Sequence, residues 1–439
     1  VLEGKTRLAG HTRLQEAYFE LKLNDNPRLF PFLPRKGDDR VEEGDTWKSP
    51  TYDFNAVRTG IQRFTSDFRG FIFSDENAAV RLFGTMGANR YQYNIAYFYM
   101  LEKDSNSGLN TFGSRHQSVY IANLYRQDFL FKGWNAELSF HFNNDRAGRD
   151  DDEGGGNFKF DNNGFLVRPA ATGDFTPHQL NVAYLGMASD GHIGRIGVSH
   201  AAYWALGHDS HNPLAGRPVH VNAQMAALEL SYDRDWLRPK ASFFFSSGDK
   251  YPRDTVARGF DSILDNVNFA GGGQGFIVNP TLTQQDRTLI NPNIPIGVSF
   301  WDREAIRLTG SNVGLQQPQS LIPSLRSSKD QGQSNFINPG IMIANAGLDA
   351  KLTPKLLGTV NFNYLRFHHV EPIQEVLFQN TIHQEIGWDY AFGFQYRPYL
   401  NEQWIIQGGF SALVPGQGLK DIYGSPVIYS GFLLVKFAF

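Results

Sequence analysis

Arg90-Tyr-Gln-Tyr-Asn-Ile-Ala-Tyr-Phe-Tyr-Met-Leu-Glu102 is the stretch on which the fold turns. Tyr91, Tyr93, Ile95, Tyr97, Tyr99 and Leu101 fall on one side of an extended chain. Gln92, Asn94, Ala96 and Glu102 fall on the other, with Phe98 and Met100 as exceptions. Successive side chains of a strand point to opposite faces, so this period of two describes a long β-strand with one apolar and one polar face. The pattern returns at Asn135–Asn143, where Ala136, Leu138, Phe140 and Phe142 oppose Glu137, Ser139, His141 and Asn143. It returns again near the end of the chain. There Ile386, Trp388, Tyr390, Phe392, Phe394 and Tyr396 oppose Glu385, Asp389, Gln395 and Arg397.

Strands of a soluble sandwich usually run about 5 or 6 residues, whereas a tilted strand needs about 9 to 11 to cross a bilayer. The alternating runs here match the second length. Backbone groups in lipid need internal partners, so a spanning sheet must close on itself. Aromatic residues gather at the ends of the runs, as an interfacial girdle requires: Phe129, Phe131 and Trp134; Tyr232 and Trp236; Tyr399 and Trp404. The expectation is an all-β protein, a transmembrane antiparallel up-and-down β-barrel of about 16 to 18 strands in the bacterial outer membrane. A large soluble β-protein is the competing possibility. At the carboxy end, Tyr429, Gly431, Leu433, Val435, Phe437 and Phe439 alternate and finish on Phe. Val435, Phe437 and Phe439 resemble the terminal signal that directs outer-membrane proteins to the barrel-assembly machinery.

Composition narrows the alternatives. The 439 residues include 14 % aromatics, 44 Gly and no Cys, with a formal net charge of −3. A soluble chain of this length would hold two or three domains. No run approaches the roughly 18 to 20 apolar residues of a membrane helix. The near-neutral balance argues against nucleic acid as a partner. Absence of Cys removes disulfides, thiolate metal sites and thiol catalysis. No signal peptide opens the chain, which suggests a mature form or a fragment.

Outer-membrane barrels have short periplasmic turns and longer external loops, so connection length sets orientation. Short connections at Gly87–Asn89, Leu130–Gly133, Ala188–His192, Asp233–Arg238, Thr353–Lys355 and Pro398–Glu402 alternate with longer ones. The longer ones are Lys103–His116, Asn144–His178, Gly207–Gly216, Asp249–Pro339 and His369–His383. Spans are expected to begin near Arg13, Asp53, Ala79, Arg90, Gln117, Asn135, Gln179, Ile193, Arg217, Pro239, Gly340, Leu356, Gln384, Gln403 and Pro426. Bacterial single-chain barrels have an even strand number. An odd count therefore suggests a further strand in Val1–Thr12, or a single barrel lacking some N-terminal strands. Asn24–Tyr52 breaks the alternation as a long insertion in a periplasmic connection, rich in Pro and charge. Asp249–Pro339 is too long for an ordinary turn and holds Phe260, Ile263, Leu264, Phe276, Phe300 and Trp301. It either folds into the pore or caps the rim from outside.

Strand parity places Arg58, Arg81, Arg90, Lys240, Lys351 and Arg397 on the polar wall. Glu102, Glu137, Glu229, Asp349, Glu385 and Asp389 share that wall. The signs are about even, which describes ion pairs bracing a hydrated lumen better than a charge-selective ring. Asp150, Asp151, Asp152 and Glu153 form an acidic run that could offer hard oxygen ligands to calcium, although their spacing does not match the known loop. No other metal ligand set, no cofactor motif and no catalytic constellation stands out, so an enzyme is not expected. Gly271–Gly273 lacks the following Lys and Ser or Thr of a phosphate loop.

Arg58-Thr-Gly-Ile-Gln-Arg-Phe-Thr-Ser-Asp-Phe-Arg-Gly-Phe-Ile-Phe-Ser-Asp75, followed by Val80-Arg-Leu-Phe-Gly84, resembles a stretch of large bacterial outer-membrane barrels described as alginate-export-like or porin-like. Residues 97–108 and 226–236 are similar to the same group. The resemblance implies a passive channel for small solutes or for export of an extracellular polysaccharide. Lipid, lipopolysaccharide and the assembly machinery would be its partners. The alternative is a structural sleeve holding a periplasmic or extracellular partner, such as a multihaem cytochrome, in its lumen.

Overall fold

The computed structural model describes residues 14, 16–25, 53–103, 110–146, 159–160, 166–168, 178–212, 214–264, 269–270, 333–400, 403–423 and 427–437. Their strands are β1 (Ala17–Asp25), β2 (Phe54–Thr65), β3 (Ser74–Met86), β4 (Tyr91–Lys103), β5 (Asn110–Arg126) and β6 (Trp134–Asp145). After the small hairpin β7 (Lys159–Phe160) and β8 (Leu166–Arg168) come β9 (Leu180–Ile193), β10 (Ile196–Asn212), β11 (Arg217–Tyr232), β12 (Leu237–Ser246) and β13 (Val256–Ala257). The series ends with β14 (Ile341–Thr353), β15 (Leu356–Phe367), β16 (Glu385–Tyr396), β17 (Trp404–Pro415) and β18 (Ile428–Phe437). Two short helices, α1 (Glu371–Leu377) and α2 (Gln417–Tyr423), follow β15 and β17. Pro372 in the first turn of α1 has the fixed φ that opens a helix without losing a backbone bond.

The long strands form one antiparallel up-and-down sheet in chain order, β1 through β6, β9 through β12 and β14 through β18. The two-residue β13 lies off this path and pairs in parallel with β11. All fifteen expected spans are present, most within a few residues of their expected starts. Two begin earlier: β3 at Ser74 rather than near Ala79, and β5 at Asn110 rather than near Gln117. Their first residues break the apolar alternation yet complete the ladders, as Ser74 pairs with Thr65 and Asn110 with Lys103. β10 and β11 run 17 and 16 residues, so their connection shrinks to 213–216 instead of spanning Gly207–Gly216. Residues 26–52 of the insertion, residues 271–332 of the longest connection and the acidic run 150–153 lie outside the described residues, as does Phe439.

The two faces differ in chemistry. The outer face exposes Ile95, Tyr97, Tyr120, Leu138, Phe140, Leu185, Met187, Leu228, Leu230, Phe243, Phe362, Trp388, Phe392 and Phe410. Val435 and Phe437 of β18 face outward too, each more than half exposed at 54 % and 53 %. One outer-face polar group is screened locally. Tyr93 lies across the bare backbone of Gly84, where a Cβ would come 3.0 Å from its ring, and its hydroxyl bonds to Asn55.

The inner face divides along its height. Toward the short turns it carries hydrogen-bonded polar groups, and toward the long connections it becomes apolar. There Phe98, Met100, Val119, Ile121, Val182, Tyr184, Val219, Val221, Phe244, Ile341 and Ile343 are buried in one hydrophobic cluster. Residues from two connections cover them.

Candidate permeation site

The covering begins with the turn between β2 and β3. Asp67 Oδ1 accepts from the backbone N–H groups of Arg69 (2.8 Å), Gly70 (2.6 Å) and Phe71 (3.2 Å), and Oδ2 accepts from Ile72 (3.2 Å). Gly70 has φ of +74°, which lets the chain reverse around this carboxylate. Burial pushes the Asp67 carboxyl above the usual carboxylate range, while the four amides pull it back. With its donors gathered inward, the turn drives Phe71, Ile72 and Phe73 onto the sheet, each 2 % exposed or less.

Arg69 fastens the turn to the opposite wall. Its Nε donates to Ser199 of β10 (3.0 Å), and its Nη2 lies 3.2 Å from both Asp190 of β9 and Glu229 of β11. On β5, Tyr125 Oη donates to the Ser66 carbonyl (2.7 Å), which also accepts from Asn123 Nδ2.

The second covering segment is the start and end of the longest connection. Leu264 N donates to the Ile72 carbonyl (3.1 Å) and the Leu264 carbonyl accepts from Ser74 N (2.7 Å), joining the two segments by a parallel bridge. Tyr184 Oη of β9 donates to the Asp261 carbonyl (2.9 Å). Asp261 Oδ2 in turn accepts from Asn335 N (2.8 Å), and Gly259 N donates to the Phe336 carbonyl (2.7 Å). Phe71 stacks on Phe244 with centroids 5.9 Å apart, while Phe260 and Phe336 both meet Tyr184. Each fully buried aromatic contributes about 1.5–3 kcal/mol by leaving water. The described parts of Asp249–Pro339 therefore pack on the buried face of the sheet. We call the two segments together the latch.

Below the latch runs a hydrogen-bonded belt. Glu229 Oε2 accepts from Ser242 Oγ (3.1 Å), which lies 3.3 Å from Asn345 Oδ1. Asn345 Nδ2 donates to Asn363 (2.7 Å), and Asn363 Nδ2 donates to Asp389 (3.1 Å). Lys240 Nζ meets Asp349 at 2.7 Å, both almost wholly buried, and Thr359 also donates to Asp349 (2.6 Å). Asn123 Nδ2 donates to Glu137 (2.9 Å). Arg58 Nε donates to Glu20 (2.7 Å), and Arg81 stacks over Phe83 at 4.3 Å.

The structure thus brings Glu137, Glu229, Lys240, Asp349 and Asp389 together on the buried inner face, with Arg58 and Arg81 at its β2–β3 side. Others fall elsewhere. Arg90 is exposed in the turn between β3 and β4, because β4 begins one residue later. Arg397 follows the end of β16 in a turn, and Lys351 is exposed near the end of β14. Glu385 opens β16 beneath α2, where its Oε2 accepts from Gln417 N (3.5 Å). The Glu102 side chain lies outside the described residues. Asp67 and Arg69, which organise the latch, carry no alternation signal. Their only sequence mark is the turn chemistry of Asp followed by Arg-Gly. Among the described residues, no group of three or more His, Asp or Glu side chains is arranged to hold a metal ion.

No protein-family model matches the chain, and no curated protein sequence matches it. Solved structures share part of its backbone arrangement. OccAB1 of Acinetobacter baumannii aligns at 9 % identity and a TM-score of 0.43, over 87 % of this chain and 73 % of that one. OccD3 (OpdP) of Pseudomonas aeruginosa aligns at 9 % identity and a TM-score of 0.40, over 87 % and 74 %. The outer membrane channel DcaP of A. baumannii aligns at 9 % identity and a TM-score of 0.36, over 88 % and 85 %.

Proposed function

We propose that the chain forms the wall of a porin-like channel in the bacterial outer membrane, passing small polar solutes through an inner face narrowed by the latch. The observation that carries this is the pairing of opposite surfaces on one sheet. An apolar, aromatic-rich outer face suits lipid, and a buried belt of polar side chains lines the other face. A soluble protein would reverse this arrangement. The latch sets the size class, because a hydrated polysaccharide could pass only by breaking its aromatic packing. Small solutes are therefore favoured over polymer export, and nothing on the inner face favours a sleeve around a folded partner.

On this reading lipid and lipopolysaccharide contact the outer face, and the outward Val435 and Phe437 belong to the strand the assembly machinery engages. The polar belt supplies neutral and paired charged groups, so discrimination rests on size and hydrogen bonding more than on net charge. Proteoliposomes loaded with sugars of graded size test the proposal. Efflux should be fast for monosaccharides and fall steeply for tri- and tetrasaccharides. Vesicles holding folded protein that retain every sugar would refute it.

A further inference from the structure

Five successive inner-face positions of β6 are polar: Glu137, Ser139, His141, Asn143 and Asp145, all 8 % exposed or less. Their neighbours at the level of the latch are not. His141 sits between Ile121 of β5 and Tyr184 of β9, and Asn143 sits between Val119 and Val182. Cross-strand partners are therefore scarce. Both ring nitrogens of His141, which is fully buried, have no hydrogen-bond partner, nor do Ser139 Oγ, Asn143 Nδ2 and Asn123 Oδ1. Leaving such groups dry costs about 1–3 kcal/mol each, so a file of them under an apolar roof calls for a polar occupant.

The spacing identifies its size. Alternate residues of a strand stand about 6.5–7 Å apart. One water with two hydrogen bonds of about 2.9 Å spans nearly that distance, and a hydroxyl or amide group of a small solute does the same. Opposite Ser139, the Tyr203 ring lies across the bare backbone of Gly186, where a Cβ would overlap the ring and fall 2.6 Å from Ser139 Oγ, so this ring walls the file at its middle. The file is open to polar groups at both ends. At the long-connection end, Gln333 Nε2 donates to the Asp145 carbonyl (3.1 Å). At the other end Glu137 joins Asn123, and the turn beyond it leads through Arg69 to Asp190, whose side chain is 45 % exposed.

We propose that the inner face of β6 is a hydrated file that carries water and small neutral hydrogen-bonding solutes, of the urea and glycerol class, past the latch. It deepens the channel reading and rests on it: the latch narrows the bore, and this seam is a second, smaller route beside it. Ser139, His141 and Asn143 exchange hydrogen bonds with the solute in turn, while the aromatic roof keeps the file one molecule wide. Charged solutes would lose hydration here without a matching countercharge at the middle three positions.

The test is stopped-flow swelling of proteoliposomes in iso-osmotic urea and glycerol, comparing the full chain with His141→Leu, Asn143→Leu and Ser139→Ala. His141→Leu and Ser139→Ala remove groups without a partner and leave folding intact. Asn143→Leu also removes the acceptor of Gln117 Nε2 (2.8 Å) and costs some stability. Heat-modifiable migration of each variant in detergent gels checks this, and Ile343→Val serves as a control away from the file. The expected result is at least a fivefold slower entry of glycerol in His141→Leu and Asn143→Leu, a smaller loss in Ser139→Ala and none in Ile343→Val. Rapid swelling by the full chain that the β6 variants leave unchanged would overturn the file alone. Absence of swelling in the full chain would remove the channel reading and the file with it.

Discussion

Asp67 shows how one carboxylate positions the latch. Four successive amides converge on it, so Asp67→Ala would strand buried N–H groups at about 1–3 kcal/mol each. The amides of 69–72 should then exchange hydrogen at least tenfold faster in the variant, measured by mass spectrometry in detergent micelles. Exchange as slow as in the native protein would mean that the turn is held by Phe71 and Phe73 alone. Asp249, at the root of the long connection, makes the second residue-level case. Burial pushes its carboxyl up to about 6, against the pull of the Tyr251 and Arg258 amides and the Arg258 guanidinium. The folded state thus holds a proton that the unfolded chain, near 3.8, has released. That contribution to stability is fully present below about 3.8 and is lost as pH rises through about 6. Compared with Asp249→Asn, which does not titrate, protection of the Tyr251 and Arg258 amides should improve in the native protein on going from pH 7 to pH 4. A native advantage that shrinks over this range would reverse the sign. At this scale the inner face was legible wherever alternation ran unbroken, as at Glu137, Glu229 and Asp389. It failed at Arg90 and Arg397, where parity continues for a residue beyond the ladder that gives it meaning.

Strands and connections carry a different kind of information. Period two located all the long strands because the two faces meet different surroundings, and that contrast repeats every second residue. The latch was only half visible. Asp249–Pro339 announced itself by length and apolar content, but its packing on the sheet depended on Tyr184 and Phe244, which are distant in sequence. The β2–β3 turn is short enough to pass for an ordinary loop. Its Phe71 nevertheless stacks on Phe244 and meets Phe269 edge-on. Phe71→Ala should cost about 3–5 kcal/mol of local packing and lower the thermal midpoint for latch opening, followed by near-ultraviolet circular dichroism. An unshifted midpoint would place Phe71 outside the structural core. Orientation has its own check, since the chain has no native Cys. Phe378→Cys, just after α1 and 91 % exposed, should react with a membrane-impermeant maleimide on intact cells. Lys355→Cys, in the turn between β14 and β15, should react only after the outer membrane is broken. The opposite pattern would invert the barrel.

Across the whole molecule, the sheet has an apolar outside, a braced polar inside and a latch across one end. The fifteen-strand path leaves β1 and β18 running in the same direction, and among the described residues β1 pairs only with β2 and β18 only with β17. Lipid does not tolerate an unpaired edge, so insertion requires these two edges to be satisfied in the membrane. The latch, by contrast, can be loosened without touching any ladder between the long strands. Single-channel recording in planar lipid bilayers therefore tests the central claim most directly, comparing the native chain with an Asp67→Ala, Phe71→Ala double variant. The native protein should insert and give small, discrete conductance steps. The double variant should insert as readily and give steps several-fold larger, because the wall is retained while the obstruction is loosened. Equal conductance in the two would show that the latch does not set the bore, and folded protein that inserts without conducting in either form would contradict the channel itself.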